Sequence, residues 1–193
     1  MKSCDIRAMS SVVCSYIGNL GLAQGLQQYL DIAKRAKEEG VEAVFLIYGS
    51  GAEEKKLRDY VSEHELDNVY FGGRLPNRDM RTVLEASDIN FVSLVNGNLK
   101  DSVPTKLYEA LGVGCPVLLA AEGDSVRVLE ATGHGAAVRP NDSEQLWQGF
   151  MRLYIDREKM QQNKAKTMEI MAEQYSLQNS ARRMVDLMEE MVK

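Results

Sequence analysis

The stretch VEAVFLIYGSG, Val41 to Gly51, decides the fold. Its central run AVFLIY is apolar without alternation, so both faces of the strand it forms must be buried. A strand with one wet face would alternate polar and apolar residues; continuous burial is expected of a parallel sheet with helices on both sides. PVLLAA, Pro116 to Ala121, has the same character.

Working outward, strand and helix signals alternate along the chain. SVVCSYIG (Ser11 to Gly18) is a strand closed by glycine. It is followed by a helix from Gly25 to Gly40 with Leu26, Tyr29, Leu30, Ala33 and Ala36 at helical spacing. After the Val41–Gly51 strand comes an amphipathic helix, Glu53 to Glu65, and then NVYFGGRLP as the third strand. Asn77 is read as the cap of a helix reaching about Ala86. DINFVSLV is the fourth strand, a helix opening on Pro104-Thr105-Lys106 follows, CPVLLAAEG is the fifth strand and GAAVRP a short sixth. Asn141-Asp142-Ser143-Glu144 begins another helix to about Tyr154, and two further helical segments complete the chain. This pattern predicts a doubly wound, Rossmann-like α/β parallel sheet, read as one domain over residues 1–193.

The 193 residues suit one domain, and a formal charge of -5 without a basic stripe argues against nucleic acid or an anionic membrane as partner. Three cysteines, Cys4, Cys14 and Cys115, form no C-x-x-C pair, which points to a reducing compartment; Cys115 reads as a small buried hydrophobe. No apolar run approaches 18 residues and the start MKSCDIRAMSS lacks a signal-peptide core, so the expected location is cytoplasmic.

In such a sheet ligands bind in the loops beyond the carboxyl ends of the strands, and three loops carry unusual residues. GNLGLAQG has glycines at 18, 21 and 25, which is not G-x-G-x-x-G, so a dinucleotide fingerprint is missing. The loop either brings backbone N–H groups to a phosphate or is a turn needing positive φ. YGSGAE holds Gly49 and Gly51 and reads as a compact turn or a close approach to ligand. In KDSVPTKLYEALGVG, Pro104 suits a first helical turn. The amides of Thr105, Lys106 and Leu107 are then expected to point outward at the positive end of a helix dipole. Lys106 adds a full charge there, and Ser102 and Thr105 add hydroxyls. Glu109, one turn on, can accept from the two hydroxyls of a ribose or form a surface ion pair with Lys106. His64 and His134, with no ligand cluster at suitable spacing, make a metal site unexpected. The methionines at 160, 168, 171, 184, 188 and 191 are spaced for helix packing.

SYIGNLGLAQGLQQYL, LIYGSGAEEKKL, NVYFGGRLPNRDM, ASDINFVSLVNG, DSVPTKLYEALGVGCPVLLA and GHGAAVRPNDSEQL together resemble the nucleotide-sugar-binding, C-terminal lobe of a GT-B-fold, retaining glycosyltransferase of family four. The nearest kind is the bacterial enzymes of capsule, exopolysaccharide and lipopolysaccharide assembly. The resemblance runs from about Tyr16 to the C-terminus. It implies a donor, with UDP the expected nucleotide, and no separate cofactor or metal. The family's acid-x7-Glu pattern falls on Asp101 and Glu109, which implies Glu109 on the ribose and Asp101 facing the donor sugar. Aspartate stands at 101 where glutamate is more usual.

Ser102, Val103, Pro104, Thr105 and Lys106 match the phosphate loop, with threonine in place of serine. Many relatives carry an arginine and a lysine in the first loop, where this chain has Asn19, Gly21 and Gln24. The resemblance therefore shifts charge compensation to Lys106 and Arg74. Gly49 and Gly51 are expected beside the donor, and Arg74 and Leu75 beside the base. The acceptor lobe of a two-lobed enzyme is absent from the sequence, and the last segment resembles helices that pack on that lobe. The parent enzyme, acting on a glycan or lipid-linked acceptor, is expected in the cytoplasm or at the inner face of the membrane. The rival functions are a sugar-nucleotide epimerase lobe, a NAD- or flavin-binding oxidoreductase domain, and a non-catalytic interaction domain.

Overall fold

The computed structural model describes residues 11–95 and 100–191. Cys4, the MKSCDIRAMS start, residues 96–99 of the VNG-containing segment and the last two residues lie outside the described part. Six strands, β1 (Val12–Ile17), β2 (Ala43–Tyr48), β3 (Val69–Gly73), β4 (Ile89–Ser93), β5 (Val117–Ala120) and β6 (Gly135–Val138), form one sheet. Their order is β3-β2-β1-β4-β5-β6 and every pairing is parallel. The direction of winding reverses between β1 and β4, which opens a crevice at their carboxyl ends.

Parity along the strands assigns the two faces. Val12, Cys14 and Tyr16 of β1 and Phe45 and Ile47 of β2 look one way, into a core with Phe91, Leu118 and Ala136. That face is closed by α1 (Gln27–Glu38), α2 (Glu54–Glu63) and α6 (Ser143–Ile155), which supply Tyr29, Leu57 and Phe150. Val92, Val117 and Leu119 look the other way. They meet Leu84 of α3 (Asn77–Ala86), Leu107 and Leu111 of α4 (Thr105–Gly112), Leu129 of α5 (Asp124–Thr132) and Met171 of α7 (Arg157–Tyr175). Tyr29 ties its layer together by stacking on Phe91 at 5.1 Å and meeting Phe45 edge-on at 5.3 Å. Burying both faces is what the unbroken apolar strands require, and it stabilises by roughly 1.5–3 kcal/mol for each large side chain.

Three local expectations are corrected. Pro104 precedes α4 in extended conformation (φ -67°, ψ 138°) rather than lying in its first turn. Pro76, not Asn77, occupies the cap of α3, and Asn77 is its first helical residue. Between β5 and β6 the sequence pattern was assigned no helix, yet α5 forms there. Its signals were Asp124 in the first turn, Val128 and Leu129 on one face, and Gly133 in the left-handed region (φ 60°) as its stop. By contrast Asp142 caps α6 as its sequence implies, accepting from the Gln145 amide at 2.9 Å.

The methionines divide. Met160 and Met171 are buried, whereas Met184, Met188 and Met191 lie on the exposed apolar side of α8 (Leu177–Met191), with Leu177 and Leu187. Packing within this chain therefore accounts only for the first group. No helix among the described residues is long and apolar enough to cross a membrane.

Candidate functional site

The carboxyl ends of β1, β2 and β3, with the start of α4 after β4, enclose a cleft of about 450 Å³ beside the point where the winding reverses. It is lined by Ile17, Gly18 and Asn19 at the end of β1, Tyr48, Gly49 and Ser50 at the end of β2, and Arg74 and Leu75 after β3. Asn77 and Met80 of α3 and Thr105, Lys106 and Glu109 of α4 complete it.

Two glycines let these loops close on one another. Gly18 has φ 147° and Gly49 φ 143°, both strained for a residue with a side chain. A Cβ on Gly49 would enter the Gly18 carbonyl oxygen, and a Cβ on Gly18 would strike Cε and Nζ of Lys106. Hydrogen bonds stitch the same loops: Gly18 N to Tyr48 O at 2.9 Å, Leu20 N to Ser50 O at 3.0 Å, and Gly49 N to Gly73 O at 2.7 Å. Gly49 therefore serves close contact between loops. That contact places Asn19, Ser50 and Arg74 around one opening, where Arg74 Nε donates to Ser50 Oγ at 2.9 Å.

Lys106 crosses above Gly18 into this opening. Its ammonium donates to the Tyr16 hydroxyl at 2.6 Å and lies 4.4 Å from the centre of that ring. Burial lowers its pKa from 10.5 to about 8, and the Glu109 charge opposes that fall. No ion pair joins Lys106 to Glu109 among the described residues, so the surface-pair alternative is not what forms. Leu107, expected to offer a free amide, instead donates to Pro104 O at 3.0 Å. Thr105 and Lys106 remain as first-turn amides without intrahelical acceptors, beside a cation at the positive end of α4.

Of the residues singled out in the sequence, Asn19, Gly49, Arg74, Leu75, Thr105, Lys106 and Glu109 line the cleft. Gly21, Gln24, Gly51, Asp101, Ser102, Val103 and Pro104 do not. Gly21 and Gly51 shape the turns behind the rim, and the buried side-chain oxygen of Gln24 has no hydrogen-bond partner. Asp101 and Ser102 sit in an exposed turn anchored to α5, where Ser125 Oγ donates to Ser102 O at 2.8 Å and Asp124 N to Lys100 O at 2.9 Å.

Sequence reasoning missed Tyr16, Tyr48 and Ser50. Tyr16 hid in the apolar strand pattern; a tyrosine two residues before a glycine loop was the available signal, since its buried hydroxyl must find a partner. His134 is fully buried, with Nε2 3.1 Å from Gly114 O, and Cys115 is buried as expected. No cluster of three or more potential metal ligands occurs among the described residues.

Residues 7–170 match the family described as "Glycosyl transferases group 1". The "Probable glycosyltransferase WbjE" of Pseudomonas aeruginosa is 30% identical over 132 residues, covering 67% of this chain and 32% of that protein. The Escherichia coli (strain K12) protein named "Putative colanic acid biosynthesis glycosyltransferase WcaL" is 28% identical over 135 residues, 68% of this chain and 33% of its own. The match thus spans about a third of the length of these curated relatives. Among solved structures, Anabaena HepE in complex with UDP-glucose superposes with a TM-score of 0.80 at 16% identity, over 98% of this chain and 54% of that one. The fold is that of a GT-B glycosyltransferase lobe.

Proposed function

This chain belongs to the glycosyl transferases group 1 family, and from that premise we propose that it is the donor-binding lobe of a sugar transferase, taking a nucleotide-diphosphate sugar with UDP as its nucleotide. One observation carries the proposal: the Lys106 ammonium and the first amides of α4 converge with Glu109 on a cleft at the sheet's switch point. The diphosphate lies against Lys106 and the α4 N-terminus. The ribose hydroxyls donate to Glu109, and the base lies between Leu75 and Arg74. The neighbour crystallised with UDP-glucose has the same fold, which supports this class of ligand.

In the reaction the bond between the sugar anomeric carbon and the diphosphate oxygen breaks, and its electron pair leaves with the diphosphate. Lys106 and the helix dipole stabilise that developing charge. Asp101, in the turn beyond the cleft, faces the donor sugar; the acceptor hydroxyl oxygen forms the new bond to the anomeric carbon with retention of configuration, and its proton passes to the departing diphosphate oxygen. The acceptor, a glycan or lipid-linked sugar, meets the donor on a second lobe, and the exposed apolar side of α8 is where that lobe packs. The parent enzyme works in the cytoplasm or at the inner membrane face.

Isothermal calorimetry with UDP, UDP-sugars, GDP, ADP and NAD tests this. UDP compounds bind and NAD does not, while the chain alone turns over slowly or not at all. Absence of heat with every nucleoside diphosphate, or robust sugar transfer by this chain alone, refutes it.

A further inference from the structure

Tyr16 is fully buried, with 0% of its surface accessible, yet its hydroxyl is the partner of the site's cation. It makes two hydrogen bonds at once. It donates to the Asn19 carbonyl at 2.6 Å and accepts from Lys106 Nζ at 2.6 Å. A phenol has one proton to give and lone pairs to accept with, so this arrangement uses it as donor and acceptor together. The first bond holds the turn that follows β1; the second fixes a flexible four-carbon side chain against that turn. Gly18 leaves room for the crossing, because a Cβ there would displace the end of Lys106.

We propose that Tyr16 is a positioning residue of the diphosphate site, holding the Lys106 ammonium across Gly18 so that the cation already stands where a phosphate oxygen arrives. This inference rests on the donor-lobe reading above. The chemistry is one of preorganisation. An unrestrained lysine loses side-chain entropy when it binds an anion, and a lysine already held by a neutral hydroxyl loses less. A phenol oxygen is also a weaker partner than a phosphate, so the ammonium is free to strengthen its bonding when the diphosphate comes. The bond to the hydroxyl favours the protonated amine, against the burial that lowers its pKa to about 8. The other titratable groups facing the cleft are Glu109 on the same helix, Tyr48 from β2 and Arg74 after β3.

Tyr16→Phe keeps the ring and its packing and removes only the hydroxyl. The full chain and the variant are titrated with UDP and with uridine, which lacks the diphosphate, from pH 6 to 9.5, and Lys106→Met is run beside them. We expect Tyr16→Phe to weaken UDP by roughly tenfold and to leave uridine unchanged. The alkaline loss of UDP binding should also begin at lower pH, because the ammonium has lost an acceptor. Equal weakening of UDP and uridine with an unmoved pH limb would make Tyr16 a purely structural residue and overturn the inference. So would a Tyr16→Phe protein that binds UDP like the parent while Lys106→Met does not. If Lys106→Met itself binds UDP normally, the diphosphate assignment fails, and this inference falls with it.

Discussion

Replacing Lys106 by methionine should make the protein more stable while nearly abolishing nucleotide binding. Lys106 is charged at neutral pH although burial lowers its pKa from 10.5 to about 8. Each pKa unit corresponds to about 1.4 kcal/mol, so holding the charge in the folded state costs at most roughly 3 kcal/mol. The side chain keeps some contact with water, which reduces the figure to roughly 1–2 kcal/mol. Against this stands the lost hydrogen bond to Tyr16, worth about 1 kcal/mol, while methionine preserves the apolar stem. The net gain is about 0–1 kcal/mol, or a rise of up to roughly 4 °C in the thermal midpoint for a chain of this size.

The sign with pH follows from linkage. A lysine whose folded pKa is depressed costs stability fully below about 8, and that cost fades as pH rises toward 10.5. The advantage of Lys106→Met should therefore be largest at pH 7 and shrink above pH 8. Binding moves the other way. A cation about 4 Å from a phosphate charge at an effective dielectric of 20 attracts by about 4 kcal/mol before dehydration. A net loss of roughly 2–3 kcal/mol weakens UDP by about 30- to 150-fold. Calorimetric unfolding at pH 7 and 9, with UDP titrations on the same samples, measures both. A variant less stable at pH 7, or one that keeps its UDP affinity, refutes the reasoning.

Gly49→Ala should cost roughly 3 kcal/mol or more in urea unfolding, because a methyl group enters the Gly18 carbonyl at a backbone angle that disfavours it. UDP binding should fall with it, since the same contact closes the rim of the cleft. Glu109→Gln should weaken UDP about tenfold and leave inorganic pyrophosphate unaffected, which calorimetry with the two ligands separates. Burial depresses the pKa of His134 below its ordinary 6.5, so the stability it permits is complete above that pH and is lost as pH falls further. Urea midpoints from pH 7.5 to 5 should decline in the parent and decline less in His134→Leu.

The sheet was legible because burial of both faces leaves a mark that nothing else does: AVFLIY and VLLA have no room for a polar residue. The helix at Thr105 was legible from Leu107, Ala110 and Leu111, and its charged tip from Lys106. What could not be read was the partner of that charge. Tyr16 lies 90 residues earlier in the chain, and the parallel pairing of β1 with β4 helps set its hydroxyl within reach of the first turn of α4. The amide of Leu107 was misjudged for a simpler reason. The first turn closes with an i→i−3 bond from Leu107 N to the cap residue's Pro104 O, and that tightening takes one N–H away from the helix tip. The anchoring of the turn that holds Asp101 and Ser102 left no mark in the sequence either, since its bonds run to α5 some twenty residues on.

These details converge on how an acidic chain builds an anion site. The first loop offers no cation: Asn19 is amide, and Gln24 turns its oxygen inward. The positive charge must then come from another element, and α4 can supply it only if its lysine passes over the β1 loop without collision. Gly18 permits the crossing, Gly49 lets the β2 loop close behind it, and Tyr16 catches the ammonium at the far side. A bulkier residue at 18 would push the lysine off the loop, whereas an arginine at 19 would bring a second cation beside the first and lower its pKa further. The neutral first loop and the reaching lysine are thus alternatives for one task. A chain with Asn19→Arg should bind UDP through that arginine and depend less on Lys106. Double-mutant titration of Asn19→Arg with Lys106→Met measures this directly, and additive losses would show that the two positions do not serve the same phosphate.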